Sequence, residues 1–420
     1  MEKKLYYGGP VLTMKAENDY AEALVTENGR IAYVGSLEKA NELCDESTCK
    51  VNLQGHTLMP AFIDPHGHIS MVAQFAAFAD LSECTDFAQI LQKLKAYLQE
   101  KKTGPEGILM GFGYDHNFLK EQRHPDKTLL DQVSSQIPIY IMHTSSHMGV
   151  GNSAMLALAG IDSSTPDPKG ARFGRMPGSM EPDGYAEEAE AIGRMLMTAA
   201  PRIKLDMQAQ IAAAQETYLK NGITTCQDGA AGAGDVKNFA EAAENGSLVI
   251  DVVSYPVMGG DTGELLKKYA AYDKTYQNRF KIGGLKIVLD GSPQGKTAWL
   301  TQPYEGEGEY RGYPAKTDEE VYGYAKEAID RGEQLLAHCN GDAASDQFLD
   351  AYEKARMDSQ NPDKQELRPV MIHCQTVRDD QLDRMALLGM IPSIFVAHTY
   401  YWGDIHLKNL GKERGSRISP

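Results

Sequence analysis

The sequence predicts an α/β protein: a (β/α)8 barrel of the TIM type with a small β-sheet domain at its N-terminus. Three observations carry that expectation. Residues 1–55 alternate short β-rich pieces with turns, whereas after residue 68 apolar strand-like runs alternate with helical patterns, and three apolar runs end in histidine. Strand–helix alternation on this scale fits parallel βα units, either closed into a barrel or laid out as a doubly wound sheet. The histidines decide between the two. Side chains at the carboxyl ends of strands far apart in sequence meet at one point when the strands close around a common axis.

In chain order, β-rich pieces at 4–7, 23–25, 31–34 and 51–53 are punctuated by Glu27-Asn28-Gly29 and Gly55, a pattern that suits a small antiparallel sheet. Residues 56–420 then form the barrel domain. Its first strand is the run from Leu58 to Ile63, which leads into Asp64-Pro65-His66-Gly67-His68. Residues 70–206 are too long for one βα connection and carry Gly, Pro and polar stretches, notably 162–183, so they read as an insertion over the barrel mouth. Apolar runs at 108–111 and 139–142 fall inside it. Further strands are expected at 223–226, 249–253, 285–289, 335–337, 370–372 and 391–396, with helices at 207–221, 318–331 and 378–388.

The chain has 420 residues and a formal charge of −16, with no basic cluster, which argues against nucleic acid or an anionic membrane as partner. No apolar run approaches the ~18 residues of a membrane span, and the N-terminus lacks the apolar stretch of a signal peptide. A cytoplasmic protein is expected. The six cysteines have no disulfide-framework spacing. Cys339 and Cys374, each following a strand-end histidine, read as core thiols.

His66 and His68 stand at i and i+2, a spacing that puts both imidazoles on one face of a strand. His338 and His373 end the runs 335–338 and 370–373. Neutral imidazoles bind zinc well, so the set points to a metal site. Each histidine taken alone is as readily a buried, hydrogen-bonded side chain, and Lys286 as readily a partner of Asp228 or Asp290.

Together, Phe62-Ile63-Asp64-Pro65-His66-Gly67-His68, Gly222-Ile223-Thr224-Thr225, Lys286 before Asp290-Gly291-Ser292, His338-Cys339-Asn340-Gly341-Asp342 and Ile372-His373-Cys374-Gln375 resemble the amidohydrolase superfamily. The closest branch is amidohydrolase family 3, of the N-substituted formamide deformylase type. Ser146-His147-Met148-Gly149, Asn152-Ser153-Ala154 and Gly291-Ser292-Pro293-Gln294-Gly295 match that branch's insertion and strand-four loop. The resemblance implies a (β/α)8 barrel holding one or two divalent ions, usually zinc. His66, His68, His338 and His373 are then metal ligands, and Lys286 is a carboxylated or simple lysine on strand four with a metal or catalytic role. His147 reaches over the metals to bind substrate or a developing oxyanion, while Asp115 and His116 shape the pocket. Asp64 and Asp290 brace the strand ends or orient imidazoles, His143 has no firm role, and His56, His124, His398 and His406 are surface or loop residues. The implied reaction is attack of metal-bound hydroxide on the carbonyl of a small amide-type substrate, with self-association left open.

The family pattern continues to an eighth strand ending in an aspartate, whereas this sequence ends at Pro420, after a seventh strand and a loop at 398–404. The eighth strand is therefore expected to be missing. Asp342 and Asp404 are the nearest replacements for its carboxylate. Two alternatives follow: a catalytically impaired fragment, and a non-catalytic metal-binding scaffold.

Overall fold

The computed structural model describes residues 2–420 apart from Lys102, Pro105, Lys169 and Lys204. Period-two patterning builds the N-terminal sheet, with Leu5, Val11, Ala23 and Val25 all buried from β1 (Lys3–Leu12) and β2 (Tyr20–Glu27). With β3 (Arg30–Gly35) and β4 (Cys49–Asn52) the strand order is β3-β2-β1-β4. The expected antiparallel sheet is in fact mixed, because β4 pairs with β1 in parallel. Helix Leu37–Glu42, capped by Ser36, intervenes after β3 and allows the crossover that a parallel pair requires. Residues 1–63 with 220–224 form one compact unit, which includes β5 (Phe62–Ile63).

The rest of the chain is the second unit. Its insertion is a layered sheet in its own right. Strands β6 (Ala79–Asp80), β7 (Leu109–Tyr114), β8 (Ile139–His143), β9 (Met148–Gly151), β10 (Arg172–Arg175) and β11 (Pro182–Glu187) lie in the order β10-β11-β9-β8-β7-β6. Ile139 and Ile141 pack into one core with Leu94 and Tyr114, whereas Tyr140 and Met142 pack into another with Met155 and Phe173. Burial on both faces explains why β8 reads as a continuous apolar run rather than an alternating one.

The parallel strands follow as β12 (Ile223–Ala231), β13 (Asp251–Pro256), β14 (Phe280–Ile282), β15 (Leu285–Val288), β16 (Leu335–Cys339), β17 (Val370–His373) and β18 (Ile391–Ile394). They form two sheets, β14-β13-β12-β5 and β15-β16-β17-β18, bridged in parallel by Val257 and Lys286. The strand expected at 285–289 is thus the second half of a longer one, broken at Gly283-Gly284. Its first half pairs with β13 and its second with β16. Among the described residues β5 and β18 each have one strand neighbour, so these strands form an open succession and not a closed eight-stranded ring.

Helices Met207–Lys220, Asp318–Arg331 and Asp379–Leu388 fall where the apolar periodicity places them. The loop expected at 398–404 is instead part of helix Ala397–Gly415, broken at Trp402 and Gly411. Tertiary contacts override the turn-like Tyr-Tyr-Trp-Gly sequence: His398 and His406 are buried and stack on each other, and the Trp402 indole donates to Asp115.

Candidate metal centre

His66 and His68 lie just past β5, in a turn whose shape is fixed locally. The Asp64 carboxylate accepts the His66 N–H at 3.2 Å, and Asp64 N–H donates to the Thr225 carbonyl. At Gly67 a Cβ would stand 2.2 Å from an Asp64 carboxylate oxygen, so a larger residue there would displace the side chain that accepts the His66 N–H. An antiparallel bridge between His68 and Asp228 ties the turn to the end of β12. Asp64 therefore braces the turn, and it is turn geometry, not the expected strand alternation, that brings the two rings together, with centroids 5.3 Å apart.

The other two histidines come from neighbouring parallel strands. His338 stands opposite Ile372, and Cys339 opposite His373. His373 then leaves β17 with φ +76°, a left-handed conformation costly for a residue with a Cβ. Its ring lies 4.6 Å from that of His338 and 5.0 Å from that of His66. The four imidazoles thus form a continuous chain of ring contacts.

Lys286, on β15 opposite Leu336, is buried and makes no ion pair among the described residues; neither Asp228 nor Asp290 takes it as a partner. Burial pushes its amine down to about 7. Its charge opposes protonation of all four histidines, as expected of an amine facing the same space. Burial is the larger cause: it takes His66 down to about 2 and His68 to about 4, and holds His338 and His373 well below the usual range. All four rings are neutral at pH 7.

Asp290 orients His338, its Oδ1 lying 3.1 Å from Nδ1. It also accepts the backbone N–H groups of Asn340, Gly341 and Trp299. Burial pushes the Asp290 carboxyl up to about 7, so the contact with neutral His338 is a hydrogen bond more than an ion pair. Asp228, also pushed up to about 7 by burial and then by Asp235, accepts from Ser70 through Oδ1 and leaves Oδ2 without a partner.

His147 precedes β9 and places its ring 5.7 Å from that of His338. Its Nδ1 lies 2.9 Å from the Glu188 carboxylate. Burial alone would push His147 down, but Glu188 more than offsets it and the imidazole is raised. Glu188 was not picked out from the sequence. It sits in a left-handed conformation (φ +66°) at the junction of β11 and the following helix, where no spacing pattern marks it.

Other expected site residues lie elsewhere. Asp342 is held by the Thr301 N–H and hydroxyl and by Arg378, and Asp404 is exposed on the C-terminal helix, so neither carboxylate joins the histidines. Asp115, His116 and His143 form a separate cluster in the insertion. His124, His398 and His406, expected on the surface, are drawn into packed histidine pairs, His124 on His116 and His398 on His406; His56 is exposed. Cys339 and Cys374 are buried thiols pushed up by burial, Cys374 to about 12.

Residues 50–420 match the model of the amidohydrolase family. The chain belongs to that family. This amidohydrolase is 27% identical over 429 residues to a putative amidohydrolase, YtcJ, of Bacillus subtilis, an alignment covering 98% of this chain and 76% of the relative. It is also 27% identical over 410 residues to N-substituted formamide deformylase of Arthrobacter pascens, covering 94% of this chain and 73% of that protein. Among solved structures, an uncharacterized metal-dependent hydrolase from Pyrococcus furiosus superposes with a TM-score of 0.74 at 25% identity, covering 99% of this chain and 81% of that one. The protein is therefore a hydrolase of α/β architecture, and its neighbours support dependence on a divalent metal. Among the described residues no helix is long and apolar enough to cross a membrane.

Proposed function

We propose that this amidohydrolase cleaves non-peptide carbon–nitrogen bonds in small amide-type molecules, using zinc held by His66, His68, His338, His373 and Lys286. One observation carries the reading: four buried, neutral imidazoles share ring contacts, and His66, His68 and His373 each have an Nδ1 with no hydrogen-bond partner. Buried nitrogens are rarely left unpaired, and a borderline-soft dication satisfies them. Bound there, the ion supplies Lewis acidity and lowers the pKa of a coordinated water to about 7.

The remaining roles belong to the chain itself. Asp290 fixes the His338 ring by accepting from Nδ1, which makes Nε2, 3.3 Å from the Asn340 amide nitrogen, the ligand atom once that amide gives way. A buried amine near 7 is largely neutral above that pH, so Lys286 can act as a ligand directly or as a carbamate joining two ions. His147, held by Glu188, presents an N–H donor to the substrate carbonyl. The deformylase relative supports N-formyl and N-acyl amines as the first substrates to try.

The test is elemental analysis of the purified chain after zinc reconstitution, together with turnover of a panel of N-formyl and N-acyl amines. Zinc should be retained and chelation should abolish turnover, while His66→Ala with His68→Ala should remove both. A chain that retains no transition metal, or whose zinc content ignores the double substitution, would falsify the assignment.

A further inference from the structure

The insertion carries a second histidine cluster that the first centre does not use. Asp115 follows β7 and His143 ends β8, two neighbouring parallel strands, with His116 next in the chain to Asp115. His143 Nε2 lies 3.2 Å from Asp115 Oδ1 and 3.3 Å from His116 Nδ1, and His116 Nδ1 is 3.8 Å from the same carboxylate oxygen. Two ring nitrogens and a carboxylate oxygen thus form a small triangle. Around an ion with ~2.0–2.1 Å bonds, tetrahedral ligands stand ~3.3–3.4 Å apart and octahedral neighbours ~2.9–3.0 Å. Two of the three observed edges, 3.2 and 3.3 Å, suit the tetrahedral case, and the third, 3.8 Å, would shorten on binding.

We propose that Asp115, His116 and His143 form a second divalent-metal site that takes zinc through three protein ligands, with its fourth position on the side of the cavity that His116 lines. The surrounding groups hold the donors in place as outer partners of a metal site do. Asp115 Oδ1 accepts the Asn117 N–H at 2.9 Å, and Oδ2 accepts the Trp402 indole N–H at 2.9 Å. His143 Nδ1 is 2.9 Å from the Ser145 hydroxyl. The His116 ring is stacked on that of His124 at 3.9 Å. Burial pushes His116 down to about 4 and His124 further below the usual range, so both are neutral at pH 7. The cavity beside them measures about 720 Å³ and is lined also by Met148, Arg172 and Lys408.

The competing arrangement is a plain hydrogen bond from His143 Nε2–H to Asp115. The Ser145 N–H, which donates to His143 Nδ1 at 3.0 Å, favours that tautomer in the metal-free chain. Metal binding would reverse it: the proton moves to Nδ1, the Ser145 N–H gives up its bond to that nitrogen and turns away, the Ser145 hydroxyl accepts the new Nδ1–H, and the Nε2 lone pair faces the ion. No net proton need leave the histidine in that exchange. The site would also anchor the C-terminal helix, because Trp402 on that helix donates to a ligand carboxylate.

The test uses the full chain with His66→Ala and His68→Ala, so that failure of the first centre cannot be mistaken for failure of this one. Cobalt(II) and then zinc are titrated into it. The expected result is one retained equivalent, visible as tetrahedral cobalt bands that vanish on adding His116→Gln. Histidine-selective ¹⁵N spectra of the same double variant give a reading that needs no further substitution: His116 and His143 should move on zinc addition. Absent cobalt bands, bands that survive His116→Gln, or unmoved His116 and His143 resonances overturn the site and leave a hydrogen-bonded cluster.

Discussion

Lys286 is buried, with no carboxylate partner among the described residues, and burial holds its amine near 7 against an ordinary 10.5. Between those two pH values the unfolded chain binds a proton that the folded chain refuses. Stability is therefore lost as pH falls from 10.5 toward 7, and no more is lost below 7. Lys286→Met keeps the length and removes the charge, so the metal-free variant should be more stable than the wild type by ~1–4 kcal/mol below pH 7. That advantage should shrink toward pH 10, as read from urea midpoints in EDTA. A difference independent of pH would mean that packing, and not charge burial, dominates at this position. Glu188 makes a second point at the same scale. Since Glu188 is the main group that raises His147 against burial, with Asp290 a smaller one, Glu188→Gln should drop the His147 pKa in an NMR titration. No change would remove the pairing from the solution structure. The four histidines were legible because each follows a short apolar run, a signal in the sequence itself. Glu188 was not, since its role depends on a left-handed backbone and on His147, 41 positions away.

At the scale of elements, strands announced themselves by apolar runs, but their extents and partners did not. The run 285–289 looked like a complete strand because Gly283-Gly284 is an ordinary turn signal. In the fold those glycines let one path change partners from β13 to β16. Gly284 has φ +154°, and a Cβ there would lie 2.2 Å from the Gln334 carbonyl oxygen. Gly284→Ala should accordingly cost ~1–3 kcal/mol through backbone displacement. Because Lys286 follows two residues later, zinc affinity should fall as well. An unfolding midpoint and a zinc affinity both equal to wild type would show that the strand path tolerates a Cβ. The helix 318–331 was read correctly because its ends are local: Thr317 and Glu320 form a capping box and Gly332 ends it in a left-handed conformation. The helix at 397–415 was misread for the opposite reason. Its stability rests on partners distant in sequence, the Asp115 carboxylate above all, which a local pattern cannot display.

For the molecule as a whole, eight of the eleven histidines have pKa values below the ordinary 6.5, with burial the first cause in every case. His66 falls to about 2, His398 to about 3, and His68, His116 and His406 to about 4. As pH drops through 6.5 the unfolded chain takes up protons that these sites refuse, so each contributes stability at pH 7 that is lost on acidification. Asp228 and Asp290, raised to about 7 from 3.8, act the other way, because the fold binds their protons first. His147, also raised, joins them. Asp235 and Glu333 are raised as well, and eight against five still leaves a net loss. The formal charge of −16 does not mask it above pH 5, since ordinary exposed carboxylates titrate at ~4 and their mutual repulsion changes little until then. The metal-free chain should therefore lose stability between pH 6.5 and 5 by more than ~1.4 kcal/mol per pH unit, the slope set by a single net proton. Zinc should add stability at pH 7 that fades over the same window, because protons compete for the same ring nitrogens. Urea midpoints at pH 7, 6 and 5, with EDTA and with zinc, provide the measurement. A flat metal-free profile would mean that the histidine rings are hydrated in solution, and would count against both histidine clusters as closed, neutral ligand sets.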